Sequence, residues 1–219
     1  MVYIYNIVIV SNYTLELKSF WEDQNVAIIF FRRWGCMLCR LWAKELGEIA
    51  PVLNKHNIKM IGIGVEEAGS KDFINGKYFD GDLYYVDNIS TYQALGFKRF
   101  NVVTIITSLF WKQSRDAIFK GRGMGLDSDL IGDGLQNGGA LFVKKGGKLM
   151  HHYVQMGPAD RYPNTDILKV YFSLFLYYYR KKSTQQIIGP KVNFRRIVYV
   201  IQNKNEKYFI PFKLLRVLF

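Results

Sequence analysis

The chain has 219 residues, of which 49% are apolar, and it carries a formal net charge of +12. This composition excludes a disordered chain and a small disulfide-stabilised domain, and no run reaches the roughly 18 apolar residues of a membrane-spanning helix. The positive charge is concentrated after residue 171, where ten of the 30 basic residues lie beside one of the 18 acidic residues. We therefore expect no nucleic-acid partner for the nearly neutral first part, whereas the basic end could touch anionic surfaces.

The opening stretch "VYIYNIVIV", with "NYTLEL" after it, predicts the first strand of a domain. A secretory signal is the alternative, but no basic segment precedes the stretch and no small-residue cleavage site is evident. Without export we expect the protein in the cytosol. Two cysteines there stay mostly reduced, which favours redox or metal chemistry over a structural disulfide.

Strands and helices alternate in the first half of the chain. Residues 26–32 ("VAIIFFR") and 58–65 ("IKMIGIGV") are continuous apolar runs, typical of strands that are buried on both faces. Between them, residues 36–56 have helical apolar spacing, and Pro51 is expected to bend or divide this helix. A further helix is predicted through "EEAGSKDFI". This alternation indicates a sheet with parallel strands covered by helices.

The second half predicts a hairpin and a closing helix. "DLYYVD" is a short strand and "STYQALGF" a helix that ends at Gly96, whereas "VVTIITSLFW" fits either a strand or a helix. The stretch from Lys120 to Gly139 is predicted as a glycine-rich loop. "ALFVKKGGKLMHHYVQ" predicts a hairpin that turns at two glycines, and a helix follows with Asn164 or Thr165 as its cap.

These elements predict an α/β fold, a thioredoxin-like three-layer sandwich with a central mixed sheet covered by helices. We assign residues 1–180 to this domain and residues 181–219 to a basic, aromatic C-terminal extension, which is either an added segment or poorly ordered.

Both cysteines lie in "RRWGCMLCR", where a buried strand is predicted to turn into a helix. Cys36 would occupy the first helical turn, where unpaired backbone N–H groups and the helix dipole stabilise a thiolate. Cys39 lies one turn further on the same face. We therefore predict Cys36 as nucleophile and Cys39 as resolving thiol. Arg33 and Arg40 are candidates for stabilising the thiolate or binding substrate, and strand alternation keeps Arg32 and Arg33 from both facing the site.

Two other interpretations of the cysteine pair are open. A structural zinc site needs four ligands, and the neighbours His151 and His152 would point to opposite faces of a strand. We therefore predict no metal. The two cysteines could also be inert core residues. The strand-Gly-Cys-x-x-Cys-helix context favours the redox interpretation.

Further segments carry a family resemblance. The motif "RRWGCMLCR", together with "YFDGDLYYVD", "ALGFKRFN", "QNGGALFVKKGGKLMHHYVQ" and "GPADRYPNTDILKV", resembles peroxiredoxin-like proteins related to the AhpC/TSA group. The similarity runs from about residue 4 to residue 171. In one departure, "LQNGG" precedes the strand at Gly139 without the cis proline that thioredoxin-like proteins usually place there.

The resemblance implies a cytosolic enzyme of prostaglandin, lipid and fatty acid biosynthesis. Such an enzyme reduces the endoperoxide bond of prostaglandin H and of its ethanolamide, prostamide H, to F-type products, with Cys36 and Cys39 as its redox pair. NADPH is the implied ultimate donor. Because the sequence has no dinucleotide-binding fingerprint, we expect the electrons to arrive through a thioredoxin-type partner. The alternatives are a general peroxide or disulfide reductase and a redox-regulatory antioxidant protein.

Overall fold

The structure is a computed structural model that describes residues 7–10, 13–171, 201–203 and 206–208. The chain divides into two compact units, Met1–Asn164 and Thr165–Phe219. The predicted boundary near residue 180 stays a prediction, because most of residues 181–219 lie outside the described part.

Seven strands of the first unit form one mixed sheet in the order β2-β1-β5-β4-β3-β6-β7. The strands are β1 Ile7–Val10, β2 Tyr13–Glu16, β3 Asn25–Phe30, β4 Ile58–Gly64, β5 Asp82–Val86, β6 Gly139–Lys144 and β7 Lys148–Val154. In the second unit, the short strands β8 Ile201–Asn203 and β9 Glu206–Tyr208 pair antiparallel.

A 3-10 turn and six α-helices connect the strands of the first unit. They are the 3-10 turn Leu17–Trp21, α1 Met37–Gly47, α2 Ala50–Lys55, α3 Ser70–Asn75, α4 Ser90–Ala94, α5 Val102–Leu109 and α6 Lys112–Gly123. Residues 164–171 are also helical, so the predicted closing helix begins at Asn164. None of the helices formed by these described residues is long and apolar enough to cross a membrane.

The strand directions confirm the predicted α/β plan. β3 runs parallel to β4 and β4 parallel to β5, whereas β6 pairs antiparallel with β3 and with β7. The β6–β7 hairpin turns at Gly146 and Gly147, which both adopt positive φ. The opening stretch differs from the single predicted strand, because β1 and β2 form an antiparallel pair on the β5 edge.

Both faces of the sheet are covered, as a three-layer sandwich requires. Ile28 and Phe30 of β3 join Tyr92 and Phe97, which lie in and after α4, in a buried cluster on one face. On the other face Trp42 of α1 makes an edge contact with Tyr153 of β7, with ring centroids 6.3 Å apart. Because β3 is an interior strand, paired on both sides by β4 and β6, residues 26–30 are all buried, as predicted.

Three local predictions are decided by the structure. The helix containing Cys39 ends at Gly47, and α2 begins anew with Pro51 in its first turn, so the expected division is confirmed. The ambiguous "VVTIITSLFW" contains helix α5, which Asn101 caps by accepting a hydrogen bond of 2.6 Å from Thr104 N–H. The predicted glycine-rich loop is wrong at its start, because α6 continues to Gly123.

Candidate active site

The two cysteines lie at the carboxyl end of β3, where the chain turns into α1. Cys36 is the N-cap residue of α1, and its carbonyl accepts hydrogen bonds of 2.9 Å from the N–H groups of Cys39 and Arg40. A side chain at Gly35 would displace the Asp129 carboxylate, because a Cβ built there would lie 1.8 Å from Asp129 Oδ1. The predicted placement of Cys36 at the start of a helix is thus confirmed.

The environments of the two sulfurs differ. Cys36 is partly exposed, whereas Cys39 is only 2% exposed. A hydrogen bond from the Cys39 thiol, aided by the charge of Arg32 and by backbone N–H groups, holds the pKa of Cys36 well below its ordinary value against the effect of burial. The same hydrogen bond, together with burial, raises the pKa of Cys39 well above its ordinary value. The pair therefore combines a thiolate that solvent can reach with a neutral, sheltered thiol.

Arg32 is the arginine whose side chain meets the nucleophilic sulfur. Its Nη1 lies 3.8 Å from Cys36 Sγ. The guanidinium is held by two backbone carbonyls, that of Gln136 at 3.2 Å from Nε and that of Gly134 at 2.7 Å from Nη2. It also lies over the ring of Phe100, 5.6 Å from the centroid. Since these contacts carry no formal negative charge, the positive charge of Arg32 is left to act on the sulfur.

Arg40, a predicted site residue, is held by carboxylates instead. Nη1 donates to Asp127 Oδ1, Nη2 donates to Asp129 Oδ2 at 2.9 Å, and Nε donates to the carbonyl of Trp34 at 3.2 Å. The Arg40 charge and a hydrogen bond from Tyr78 lower the pKa of Asp127. Only 3% of the Arg40 side chain is exposed. These contacts fasten residues 127–131, which we call the carboxylate loop, to the cysteine turn.

Arg33, the other predicted arginine, directly follows Arg32 in the chain, and a Cβ built at Gly134 would lie 3.7 Å from its Nη1. Its Nε is buried and has no hydrogen-bond partner within the described part of the chain. Its side chain runs beside Gly132, where an added Cβ would lie 3.3 Å from Arg33 Cγ. Its backbone N–H is directed at Cys39 and acts against the rise of that thiol's pKa. The roles predicted for Arg33 and Arg40 stay predictions.

Residues 134–138, which we call the carbonyl loop, lead into β6 and close the site beside Arg32. Asn137 Oδ1 accepts a hydrogen bond of 2.9 Å from Gly138 N–H. A Cβ built at Gly138 would lie 2.2 Å from the carbonyl oxygen of Phe30, so this loop approaches β3 backbone to backbone. All peptide bonds in the described segments are trans. The loop that lacks the expected proline thus supplies the carbonyl partners of Arg32.

The structure brings Cys36, Cys39 and Arg32 together, and sequence reasoning missed the last of these. The histidines weighed as ligands lie elsewhere: His152 packs against Phe97, whereas His151 stacks on Tyr162. No group of three or more His, Cys, Asp or Glu side chains among the described residues is placed to hold a metal ion. The arrangement is suited to thiolate attack followed by disulfide formation.

Comparison with known proteins gives consistent matches. Residues 45–156, a range that begins after both cysteines, match the family described as AhpC/TSA antioxidant enzyme. A Xenopus laevis protein named prostamide/prostaglandin F synthase is 39% identical over 160 residues, which cover 73% of this chain and 80% of that relative. The human protein of the same name is 38% identical, covering 74% of this chain and 82% of its own length. The structure of reduced Plasmodium vivax 2-Cys peroxiredoxin matches with a TM-score of 0.47 and 11% identity, over 81% of this chain and 80% of that one.

Proposed function

Since the chain belongs to the AhpC/TSA antioxidant enzyme family and is a peroxiredoxin-like oxidoreductase, we propose that it reduces the endoperoxides of prostaglandin H and prostamide H to F-type products. The observation that carries the proposal is the placement of Cys36 at the start of α1, one turn before the sheltered Cys39 and 3.8 Å from Arg32 Nη1. The lowered pKa of Cys36 and the raised pKa of Cys39 agree with this placement. The name shared by the curated relatives supports the choice of substrate.

In the first step the Cys36 thiolate attacks one oxygen of the O–O bond. An S–O bond forms, the O–O bond breaks, and its electron pair leaves on the second oxygen as an alkoxide. Arg32 is placed beside the attacking sulfur and stabilises this developing negative charge. The Cys39 thiol, which is hydrogen-bonded to Cys36, gives its proton to the alkoxide and becomes a thiolate.

In the second step the Cys39 thiolate attacks the Cys36 sulfur. An S–S bond forms and the S–O bond breaks, releasing the second oxygen, which takes a proton from water. The endoperoxide has then gained two electrons and two protons to give a diol, and the dithiol has become a disulfide. Because the cysteines are three positions apart at a helix start, the disulfide closes locally.

A thioredoxin-type dithiol partner returns the disulfide to the dithiol in our proposal. NADPH supplies the two electrons to that partner's own reductase. The glycine cluster "GRGMG" offers no dinucleotide site here, since it lies at the end of α6 and not at a strand-to-helix turn. An exchange reaction needs an accessible sulfur, and the partly exposed Cys36 meets this need. A reducing cytosol suits such a partner.

Arg33 is our candidate for substrate recognition. Its guanidinium lies beside the carbonyl loop, since a Cβ built at Gly134 would lie 3.7 Å from Arg33 Nη1, and its Nε has no partner among the described residues. A guanidinium binds a carboxylate through paired, charge-assisted hydrogen bonds. Prostaglandin H carries such a carboxylate, whereas its ethanolamide carries a neutral amide. Arg33 would therefore favour the acid over the amide.

The test is turnover of prostaglandin H endoperoxide with NADPH, thioredoxin and thioredoxin reductase. We expect F-type product from the native protein and none from Cys36→Ser, because the nucleophile is lost. Cys39→Ser should stop after the first step and leave a Cys36 adduct that mass spectrometry detects. Product formation by Cys36→Ser would contradict the mechanism, and full turnover without thioredoxin would contradict the proposed reductant.

A general peroxide or disulfide reductase is the second candidate. It is favoured by the partly exposed Cys36, which hydroperoxides or protein disulfides could also reach. Comparing kcat/KM for hydrogen peroxide, insulin disulfides and the endoperoxide separates the two. A redox-regulatory protein would instead react once with its partner and show no repeated turnover.

A further inference from the structure

Two neighbouring helices, α5 and α6, carry apolar side chains with large exposed fractions. One of these side chains, Trp111, also lies beside Gly157, where an added Cβ would lie 3.0 Å from its ring. We call the exposed apolar surface of the two helices the α5–α6 face, and its largest side chains are Ile106, Phe110, Trp111 and Phe119, with exposed fractions of 52%, 72%, 47% and 83%. Val102 and Val103 extend it at the start of α5. Exposed apolar side chains of this size, grouped within residues 102–119, indicate an interaction surface.

Helical spacing places the exposed apolar side chains of each helix on one side of that helix. On α5, Val103, Ile106 and Phe110 are spaced three and four residues apart, and the helix contains no charged residue. On α6 the buried residues are Ser114, Ala117 and Gly121, which leaves Arg115, Phe119 and Arg122 on the opposite side. The second helix therefore adds an exposed aromatic ring between two cations.

The surface is rich in positive charge. Residues 98–124 contain six basic residues and one acidic residue. Three of the basic residues form ion pairs, Lys112 with Asp116 at 3.1 Å, Lys120 with Glu45 at 2.8 Å and Arg99 with Asp133. The other three, Lys98, Arg115 and Arg122, have no ion pair among the described residues and supply the positive charge. A second copy of this face would oppose like charges. The occupant that this surface fits is therefore anionic as well as apolar.

The hydroxyl groups of Thr104 and Thr107 on α5 form hydrogen bonds within the helix and with its cap residue. Thr107 Oγ1 donates to the carbonyls of Val103 and Thr104 at 2.9 and 3.2 Å, and Thr104 Oγ1 donates to Asn101 Oδ1 at 2.8 Å. A protein interface normally includes about one hydrogen bond per 100–200 Å². The apolar layer of a membrane requires none. This favours a lipid surface over an acidic protein.

We propose that the α5–α6 face docks onto the surface of an anionic lipid bilayer, with its apolar side chains in the headgroup region and the surrounding cations against acidic lipids. Both helices adjoin the cysteine turn. Phe100, just before α5, lies against Arg32, and Gly121 of α6 faces Met37, since an added Cβ would lie 2.9 Å from Met37 Sδ. Docking would place the cysteine turn near the membrane surface, on the inner side of α6, a purpose that rests on the proposed lipid substrate.

The test uses the full chain and vesicles of phosphatidylcholine with or without phosphatidylserine, in the absence of any peroxide. The readout is quenching of Trp111 fluorescence by brominated lipid. Of the other three tryptophans, Trp34 and Trp42 are each only 2% exposed and Trp21 is partly buried, so the Trp111→Phe variant supplies their combined background. We expect quenching in the vesicles with phosphatidylserine, and loss of most of it in Trp111→Phe.

Single substitutions test which residues of the α5–α6 face contact the membrane. Phe110→Ser and Phe119→Ser should each weaken binding to the phosphatidylserine vesicles by about tenfold. Leu149→Ser is the matched control, because Leu149 is 53% exposed and lies opposite Val143, at the far end of the sheet from Cys36. Unchanged midpoints of thermal unfolding would show that the variants remain folded.

Three results would overturn the proposal. The first is absence of vesicle binding. The second is binding without Trp111 quenching, which would assign the contact to another part of the chain. The third is a concentration-dependent oligomer or an acidic protein complex that Phe110→Ser disrupts, with no effect of this variant on vesicles. Because no substrate is present, these results are independent of whether the endoperoxide is turned over.

Discussion

The cysteine turn is bordered by two loops that hold a buried arginine in different ways. The carbonyl loop holds Arg32 through two backbone oxygens, whereas the carboxylate loop holds Arg40 through Asp127 and Asp129. Both arginines are nearly inaccessible to solvent: counting backbone and side chain together, only 4% of Arg32 and 2% of Arg40 is exposed. The charge of Arg40 is balanced by its partners, and the charge of Arg32 is directed at Cys36. Arg40 therefore holds the cysteine turn to the carboxylate loop, whereas Arg32 tunes the reactivity of Cys36.

The largest expected effect is on stability. Arg40→Ala leaves Asp129 without its buried partner and frees the carboxylate loop, so we expect the free energy of unfolding to fall by about 3 kcal/mol. Chemical denaturation measures it. Lys112→Ala is the control, because it breaks an ion pair whose side chains are 84% and 63% exposed and should cost less than about 1 kcal/mol. Equal losses in both variants would contradict the fastening role.

Arg32→Ala should change chemistry more than stability. Loss of a donor beside the reacting sulfur is expected to lower kcat/KM about a hundredfold. Arg32 contributes to the lowered pKa of Cys36, so that pKa should rise in the variant. Since only the thiolate attacks, activity is lost as pH falls through this pKa, and in the variant the loss begins at a higher pH. The pH dependence of Cys36 alkylation by iodoacetamide reports it directly.

Arg32→Lys sharpens this prediction. A lysine keeps the charge but lacks the fork that spans the carbonyls of Gly134 and Gln136. We expect it to restore part of the lowered pKa of Cys36 and less of the turnover. An unchanged alkylation profile in Arg32→Ala would contradict the electrostatic role.

The smallest expected effect concerns Arg33, whose Nε has no partner in the described residues. Arg33→Ala should raise KM about tenfold for the endoperoxide that carries a carboxylate, and less for its ethanolamide, with kcat nearly unchanged. Steady-state kinetics with both substrates measure the difference, and Lys71→Ala on α3 is the surface control. Equal effects on the two substrates would remove Arg33 from carboxylate binding.

The elements with strong periodicity could be predicted from the sequence. β3, α1, β4 and the β6–β7 hairpin are where the apolar patterns put them. Helix α5 could not be decided, because its run of Val, Ile and Thr also suits a strand. In the structure these residues form a helix, which Asn101 caps. Helix α6 retains Gly121 because Met37 packs where a side chain would stand, a reason that local sequence does not contain.

The site was predictable in its cysteines but not in its arginine. Strand alternation could not decide among the arginines, because β3 ends at Phe30 and alternation does not determine where Arg32 and Arg33 point. What directs Arg32 is its pair of acceptors in the carbonyl loop, about a hundred positions away in the chain. Such a partnership depends on tertiary structure alone.

The contact between the two sulfurs also affects how well the protein resists oxidative inactivation by peroxides. A peroxide that oxidises Cys36 leaves a sulfur that a second peroxide could convert irreversibly to a sulfinic acid. Cys39 is already hydrogen-bonded to that sulfur and out of solvent, so disulfide closure competes with the second oxidant from within the fold. The enzyme should therefore tolerate bursts of oxidant that would permanently inactivate a solitary reactive cysteine.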